Sequence, residues 1–181
     1  MYKDGDLDYA NISNTEATYK ANKNRDDVVD VPEATTAYMV YNQTGTVTAL
    51  NNTKIRQALN LATDREGIVK AAIDTGSTVA TALAPTALET LPDGADLAEY
   101  VSPGYSYDEE AAAKLFKEGL AELGTDSVTL TITADSDAPV AKAAVDYIKE
   151  TWENTLSGLT VEEKFVTLQT RHEDTKTRTL M

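Results

Sequence analysis

His172 is the only histidine in a chain that has no cysteine, and these two facts remove most catalytic chemistry. A hydrolytic triad needs a base beside its nucleophile. Here the sole histidine lies in a charged, helix-like tail, and no serine sits in a glycine-flanked nucleophile elbow. Without cysteine there is no thiolate nucleophile, disulfide or Cys/His metal pattern, and neither an HExxH segment nor a glycine-rich phosphate loop occurs. Pairs such as Glu109-Glu110 and Glu162-Glu163 read as solvated faces of an acidic chain rather than acid/base dyads. Asp4, Asp6 and Asp8 have the spacing that opens a calcium loop. Tyr9 stands where its sharp turn needs glycine, however, and Thr15 where a bidentate glutamate would sit. The residues predict no enzyme, no metal site and no cofactor.

Composition is that of an ordinary globular chain, and its acidity reads as solubility. The 181 residues are 41% hydrophobic and 25% charged, enough apolar material for one domain with a core. Thirty acidic against sixteen basic residues give a formal charge of −14. Such a surface repels phosphate backbones and anionic lipid, so nucleic acid is not an expected partner. No apolar run approaches the ~20 residues that span a bilayer. The opening Met-Tyr-Lys-Asp-Gly-Asp is neither a signal peptide nor a lipoprotein leader, so the expectation is a cytosolic protein or a piece of a longer one.

The elements that would position any site are clearest in residues 51–76. Ile55, Ala58, Leu59 and Ala62 fall at i, i+3, i+4 and i+7, one face of a helix. Thr63 and Glu66 have the spacing of a capping box that restarts a second helix, with Ile68, Val69, Ala72 and Ile73 as its buried side and Gly76 as its stop. Further on, Ser106 and Glu109 suggest a second capping box. Ala112, Leu115, Phe116, Leu120 and Leu123 then trace a helix up to Gly124. Val128, Leu130, Ile132 and Ala134 alternate with threonines as a half-buried strand. Asp135-Ser136-Asp137 is placed to cap the next helix, with Pro139 in its first turn. Val140, Ala143, Ala144, Tyr147, Ile148 and Thr151 would be its face and Gly158 its stop. Leu159, Val161 and Phe165 alternate as a second strand, so the order strand, helical crossover, strand predicts a parallel βαβ unit. Residues 36–42 are β-branched, aromatic and apolar on both phases, the pattern of a strand buried on two faces. Residues 77–104, with three prolines and two glycines, have no clear period and read as a surface excursion.

Asn52-Thr-Lys-Ile-Arg-Gln-Ala-Leu-Asn-Leu-Ala-Thr-Asp-Arg65 resembles a signature of the extracytoplasmic oligopeptide-binding proteins of ABC importers, N-x-x-[VI]-R-x-A-[LI]-x-x-A-x-D-R. Diffuser likenesses accompany it. Tyr2, Gly5, Leu7 and Asp8 match Y-x-x-G-x-L-D, Tyr38 to Asn42 match Y-x-x-x-N, and the helix after Ser106 resembles Y-[DN]-x-x-x-A-x-x-L-x-x-x-G. The resemblance implies a fold class of α/β, a periplasmic-binding-protein-like lobe with a βαβ unit and a mixed sheet, truncated. It implies that residues 1–35 are an offcut of the first lobe and the crossover, and that residues 36–181 are part of the second, peptide-binding lobe. The implied function is capture of short peptides in a cleft between two lobes and delivery to permease subunits of an ABC transporter. The implied location is the bacterial cell surface, with the full-length protein lipid-anchored. Relatives that bind dipeptides, pheromones, nickel complexes or sugars stay open as alternatives, as does a free-standing protein-interaction domain.

The resemblance also nominates site residues. Thr170-Arg171-His172 matches a Thr-Arg-His segment that lies near the ligand in several relatives, where the histidine helps receive the peptide carboxylate. A His or Arg donor facing a carboxylate gives a charge-assisted hydrogen bond. Tyr38 matches a ligand-facing tyrosine, and Asn42 ends the same segment. Val40 departs from the pattern, because those relatives carry an acidic residue there. The expected ligand-binding set is therefore Tyr38, Asn42, Arg171 and His172, against the alternative that His172 is simply an exposed helix residue. The signature's own charges, Arg56, Asp64 and Arg65, are expected to brace the helix corner, with Arg56 reaching Asp64, rather than to touch ligand. Trp152 is expected to pack, the alternative being an exposed stacking platform.

Overall fold

The computed structural model describes residues 2–12, 16–29, 31, 33–72, 76–85, 88–101, 104 and 106–177. After a single 3-10 turn at Tyr2–Asp4, the elements are α1 (Glu16–Asn22), α2 (Thr48–Asn51), α3 (Thr53–Leu61), α4 (Arg65–Ala72), α5 (Leu97–Tyr100), α6 (Glu109–Leu123), β1 (Val128–Asp135), α7 (Pro139–Thr155), β2 (Leu159–Val166) and α8 (Leu168–Thr177). Among the described residues the sheet is two parallel strands, in register from Val128 opposite Leu159 to Asp135 opposite Val166. The βαβ unit is thus present. The antiparallel member that would make the sheet mixed is absent from the described residues. No described helix is long and apolar enough to cross a membrane.

Helix α3 forms where its periodicity places it. Asn52 caps it, its Oδ1 accepting from Lys54 N at 2.8 Å and Ile55 N at 3.2 Å. Ile55, Ala58, Leu59 and Ala62 retain no exposed surface. They pack on α6 through Ala112, Phe116 and Leu120. Gly119 lets the two helices meet, since a Cβ there would lie 2.8 Å from Ile55 Cδ1. Lys54 ties the same pair at the rim, bonding Glu118 at 2.7 Å and Glu122 at 3.0 Å. Helix α6 ends at Gly124, whose φ of 68° is the left-handed conformation that glycine adopts without a Cβ clash.

The expected caps are displaced. The α4 cap is Asp64, whose Oδ1 accepts from Gly67 N at 2.9 Å, and the Thr63 hydroxyl is committed elsewhere. The α6 cap is Asp108, accepting from Ala111 N at 2.9 Å, rather than Ser106. The α7 cap is Ala138 with no side-chain bond, so the Asp135–Asp137 cluster does not cap it. For α4 and α6 the aspartate nearest the first turn takes the role, and the capping-box spacing mislocates the start by a residue or two.

The face of α7 is also rotated from expectation. Its buried residues are Val145 and Trp152, joined by the fully buried Leu156 just past the helix, while Val140 is 43% exposed. Ala144, Tyr147 and Thr151 form the flank, and it is this side that Asp64 of the α4 cap meets. In β2, Leu159 and Val161 are buried as expected. Residues 36–42 are no strand. They carry no regular structure, and residues 37–40 are exposed, with Tyr38 at 69% and Val40 at 73%. A strand is completed by a neighbour's hydrogen bonds, and among the described residues none lies alongside. The polar opening contains a helix that periodicity missed, α1. Its Tyr19 lies against Gly76, which has the φ of 90° expected of a left-handed stop. Ile73 and Pro32 lie outside the described residues.

Candidate functional site

The signature segment folds into a corner whose polar groups bond one another. Arg56 Nη1 donates to Leu50 O at 2.6 Å and Nη2 to Thr53 Oγ1 at 3.1 Å, so it fastens α2 to α3 instead of reaching Asp64. Asp64 caps α4 with one oxygen, and its Oδ2 accepts from Tyr147 Oη at 2.9 Å. That bond pushes the Tyr147 phenol above its ordinary pKa, since the neutral hydroxyl is the form that donates. Arg65 folds back onto Thr63 O at 3.3 Å and Asn60 Oδ1 at 3.4 Å. Thr63 donates to Leu59 O at 2.7 Å and accepts from the Trp152 indole at 3.1 Å. Trp152 is 2% exposed, so it is a packing residue and offers no stacking platform. The corner's charges act on protein, as expected, with Tyr147 and Trp152 of α7 as partners that no spacing in the sequence reveals.

The four residues expected to meet ligand fall into two groups. Tyr38 and Asn42 lie on the irregular stretch before α2. Tyr38 is exposed, whereas Asn42 organises a turn, its Oδ1 accepting from Thr44 N at 3.0 Å and Thr44 Oγ1 at 2.7 Å. Between the two, Tyr41 tucks against the core, and burial pushes its phenol up to about 12.

Arg171 and His172 lie on α8. Thr167 Oγ1 accepts from Thr170 N at 3.2 Å and so starts that helix. Helix α8 is polar nearly all round, Leu168 being its one aliphatic residue and 49% exposed. Propensity and packing therefore do little to hold it. Arg171 ties it to the sheet, donating from Nε to Asp135 Oδ1 at 2.6 Å and from Nη2 to Asp135 Oδ2 at 3.3 Å. Asp135 is the last residue of β1, opposite the last residue of β2. Arg171 and His172 thus stand just beyond the carboxyl ends of the parallel strands, where open α/β sheets place their ligands. His172 is exposed.

Two open depressions of about 290 and 360 Å3 lie elsewhere. The first is lined by Tyr107, Glu109, Tyr147 and Thr151 among others, the second by residues 46–49 and β1. None of the four expected residues lines either one. The described residues include no cluster of three or more His, Asp or Glu side chains that could hold a metal.

Comparison with known proteins gives this geometry a context. The sequence model of the bacterial extracellular solute-binding proteins, family 5 (middle), matches residues 1–180. A "Dipeptide-binding protein" of Lactococcus lactis subsp. cremoris (strain MG1363) is 37% identical over 96% of the chain. The solved structure of Listeria monocytogenes OppA bound to peptide is 30% identical, with a TM-score of 0.68 over 72% of this chain and 26% of that one. The pheromone receptor PrgZ, 24% identical, shares the fold with a TM-score of 0.84 over 99% of this chain and 35% of its own. The chain spans about a third (32%) of the length of the curated relative. From the Asn52–Arg65 corner to the matched model, the chain belongs to the bacterial extracellular solute-binding proteins of family 5.

Proposed function

We propose that the full-length protein captures short peptides between two lobes and presents them to the permease of an ABC importer. The observation that carries this is the 37% identity to a dipeptide-binding protein over nearly the whole chain. The likeness to a structure bound to peptide points the same way. In this reading residues 1–35 belong to the first lobe and crossover, and residues 36–181 form part of the second lobe. Tyr38 and Asn42 on one side, and Arg171 and His172 on the other, are the ligand-facing residues. The placement of Arg171 and His172 beyond the strand ends favours that assignment. Such capture requires no catalysis, in keeping with relatives described as binding proteins. A lipid anchor would hold the full-length protein at the bacterial surface.

Native mass spectrometry of the complete protein, purified without denaturation, tests the reading. The expected result is a ladder of co-purified masses that match peptides and exchange for added ones. The lengths in the ladder tell dipeptide from oligopeptide capture. A protein that carries no peptide, and that binds none from a pool of di- to pentapeptides, overturns it.

A further inference from the structure

We propose that Asp135 is a positioning residue for ligand capture, presenting Arg171 to a carboxylate of the bound peptide. The proposal rests on the peptide-capture reading above and adds to it a residue outside the Thr-Arg-His segment.

The geometry is specific. Asp135 engages one side of the guanidinium, taking Nε at 2.6 Å and Nη2 at 3.3 Å. Nη1 makes no hydrogen bond within the described residues. A guanidinium held side-on in this way has its plane fixed and keeps Nη1 as an outward donor, with the second Nη2 hydrogen beside it. That remaining edge has the spacing to receive a second carboxylate. The pair is only partly exposed, 35% for Arg171 and 22% for Asp135. It lies beyond the carboxyl ends of β1 and β2, with His172 next along the helix.

The tie matters because no described residue of α8 joins the buried core. Apart from Leu168 its side chains are polar. Release of Arg171 from Asp135 would free both the guanidinium and the turn that carries His172. Asp135 also offsets one positive charge, so a single incoming carboxylate meets a neutral pair with oriented donors. Affinity then depends on the orientation of the donors more than on net charge.

The test uses the complete binding protein and two tripeptide pools, one with free carboxylates and one amidated at the C-terminus, titrated calorimetrically. The variants are Asp135→Asn, Asp135→Glu and Arg171→Lys. Wild type should prefer the free acids by about tenfold or more, the worth of one or two charge-assisted bonds. Asp135→Asn keeps the shape but presents an amide to the guanidinium. It should lose about tenfold in affinity for the acids and less than about twofold for the amides. Asp135→Glu restores a carboxylate partner and should recover most of the preference, and Arg171→Lys should behave like Asp135→Asn.

Equal losses for acids and amides in Asp135→Asn, in step with a lower unfolding temperature, would make the pair a structural tie only and overturn the proposal. Wild type binding both pools equally would also overturn it, while leaving peptide capture standing. Binding of neither pool would remove the peptide-capture reading itself, and the proposal with it.

Discussion

Thr63→Val tests the junction between the signature corner and α7. Valine matches threonine in shape but removes the hydroxyl that accepts from the Trp152 indole at 3.1 Å and donates to Leu59 O at 2.7 Å. The indole is 2% exposed, so water cannot take over as acceptor without opening the packing. A stranded buried donor costs about 1–3 kcal/mol, and a central figure of ~2 kcal/mol applies here. With a urea m-value near ~2 kcal/mol/M for a chain of this size, the midpoint should fall by about 1 M. Trp152 is the only tryptophan in the chain, so its fluorescence reports the transition directly. In a Trp152→Phe background, followed by circular dichroism, no N–H remains to be stranded. Thr63→Val should then cost less by ~1–2 kcal/mol, the coupling of the pair. The reasoning fails if Thr63→Val shifts the midpoint by under ~0.2 M, or if its cost is the same in both backgrounds.

Three further outcomes follow from the same region and its neighbours. Gly67→Ala drives a Cβ into Tyr147 Oη and Asp64 Oδ2. Overpacking of ~1–3 kcal/mol should outweigh the ~1 kcal/mol gain in helix propensity and lower the melting temperature, whereas pairing it with Tyr147→Ala should recover part of the loss. Asp64→Ala removes the α4 cap and the Tyr147 acceptor and should cost ~2 kcal/mol in thermal unfolding, with peptide affinity of the folded complete protein unchanged. A sharp loss of affinity with unchanged unfolding would instead put Asp64 on the ligand. Tyr41 has a folded pKa of about 12 against an ordinary value near 10, so the folded state holds its proton longer. Its contribution is fully present below about pH 10 and is lost as pH rises through about 12. Urea midpoints measured across that window should decline, and Tyr41→Phe should flatten part of the decline.

The sequence made helix and strand faces legible wherever one buried surface repeats. Ile55, Ala58, Leu59 and Ala62 form the face their spacing predicts, as do Leu130 and Ile132. Cap positions were less legible, because a threonine or serine at the right spacing competes with a nearby aspartate, and Thr63 was already engaged by Leu59 and Trp152. The stretch at 36–42 has strand composition without strand structure, because composition supplies propensity and a neighbouring strand must supply the bonds. At the candidate site, the Thr-Arg-His wording pointed to Arg171 and His172. Asp135 was hidden: its bond to Arg171 spans 36 residues of chain, and nothing in either local pattern announces it.

The βαβ arrangement has a consequence for the order of assembly. Val128 and Leu159 pair across 31 residues that include their own crossover helix, whereas Trp152 reaches Thr63 across 89. Chain closure is costlier over the longer span by about 1 kcal/mol, so the strand pair with α7 is positioned to form a nucleus onto which the corner later docks. The Thr63–Trp152 bond then belongs to the last step of folding. Its loss should hasten unfolding while leaving the refolding rate nearly unchanged. In cells, such a bond would govern how long the folded lobe persists rather than how quickly it appears.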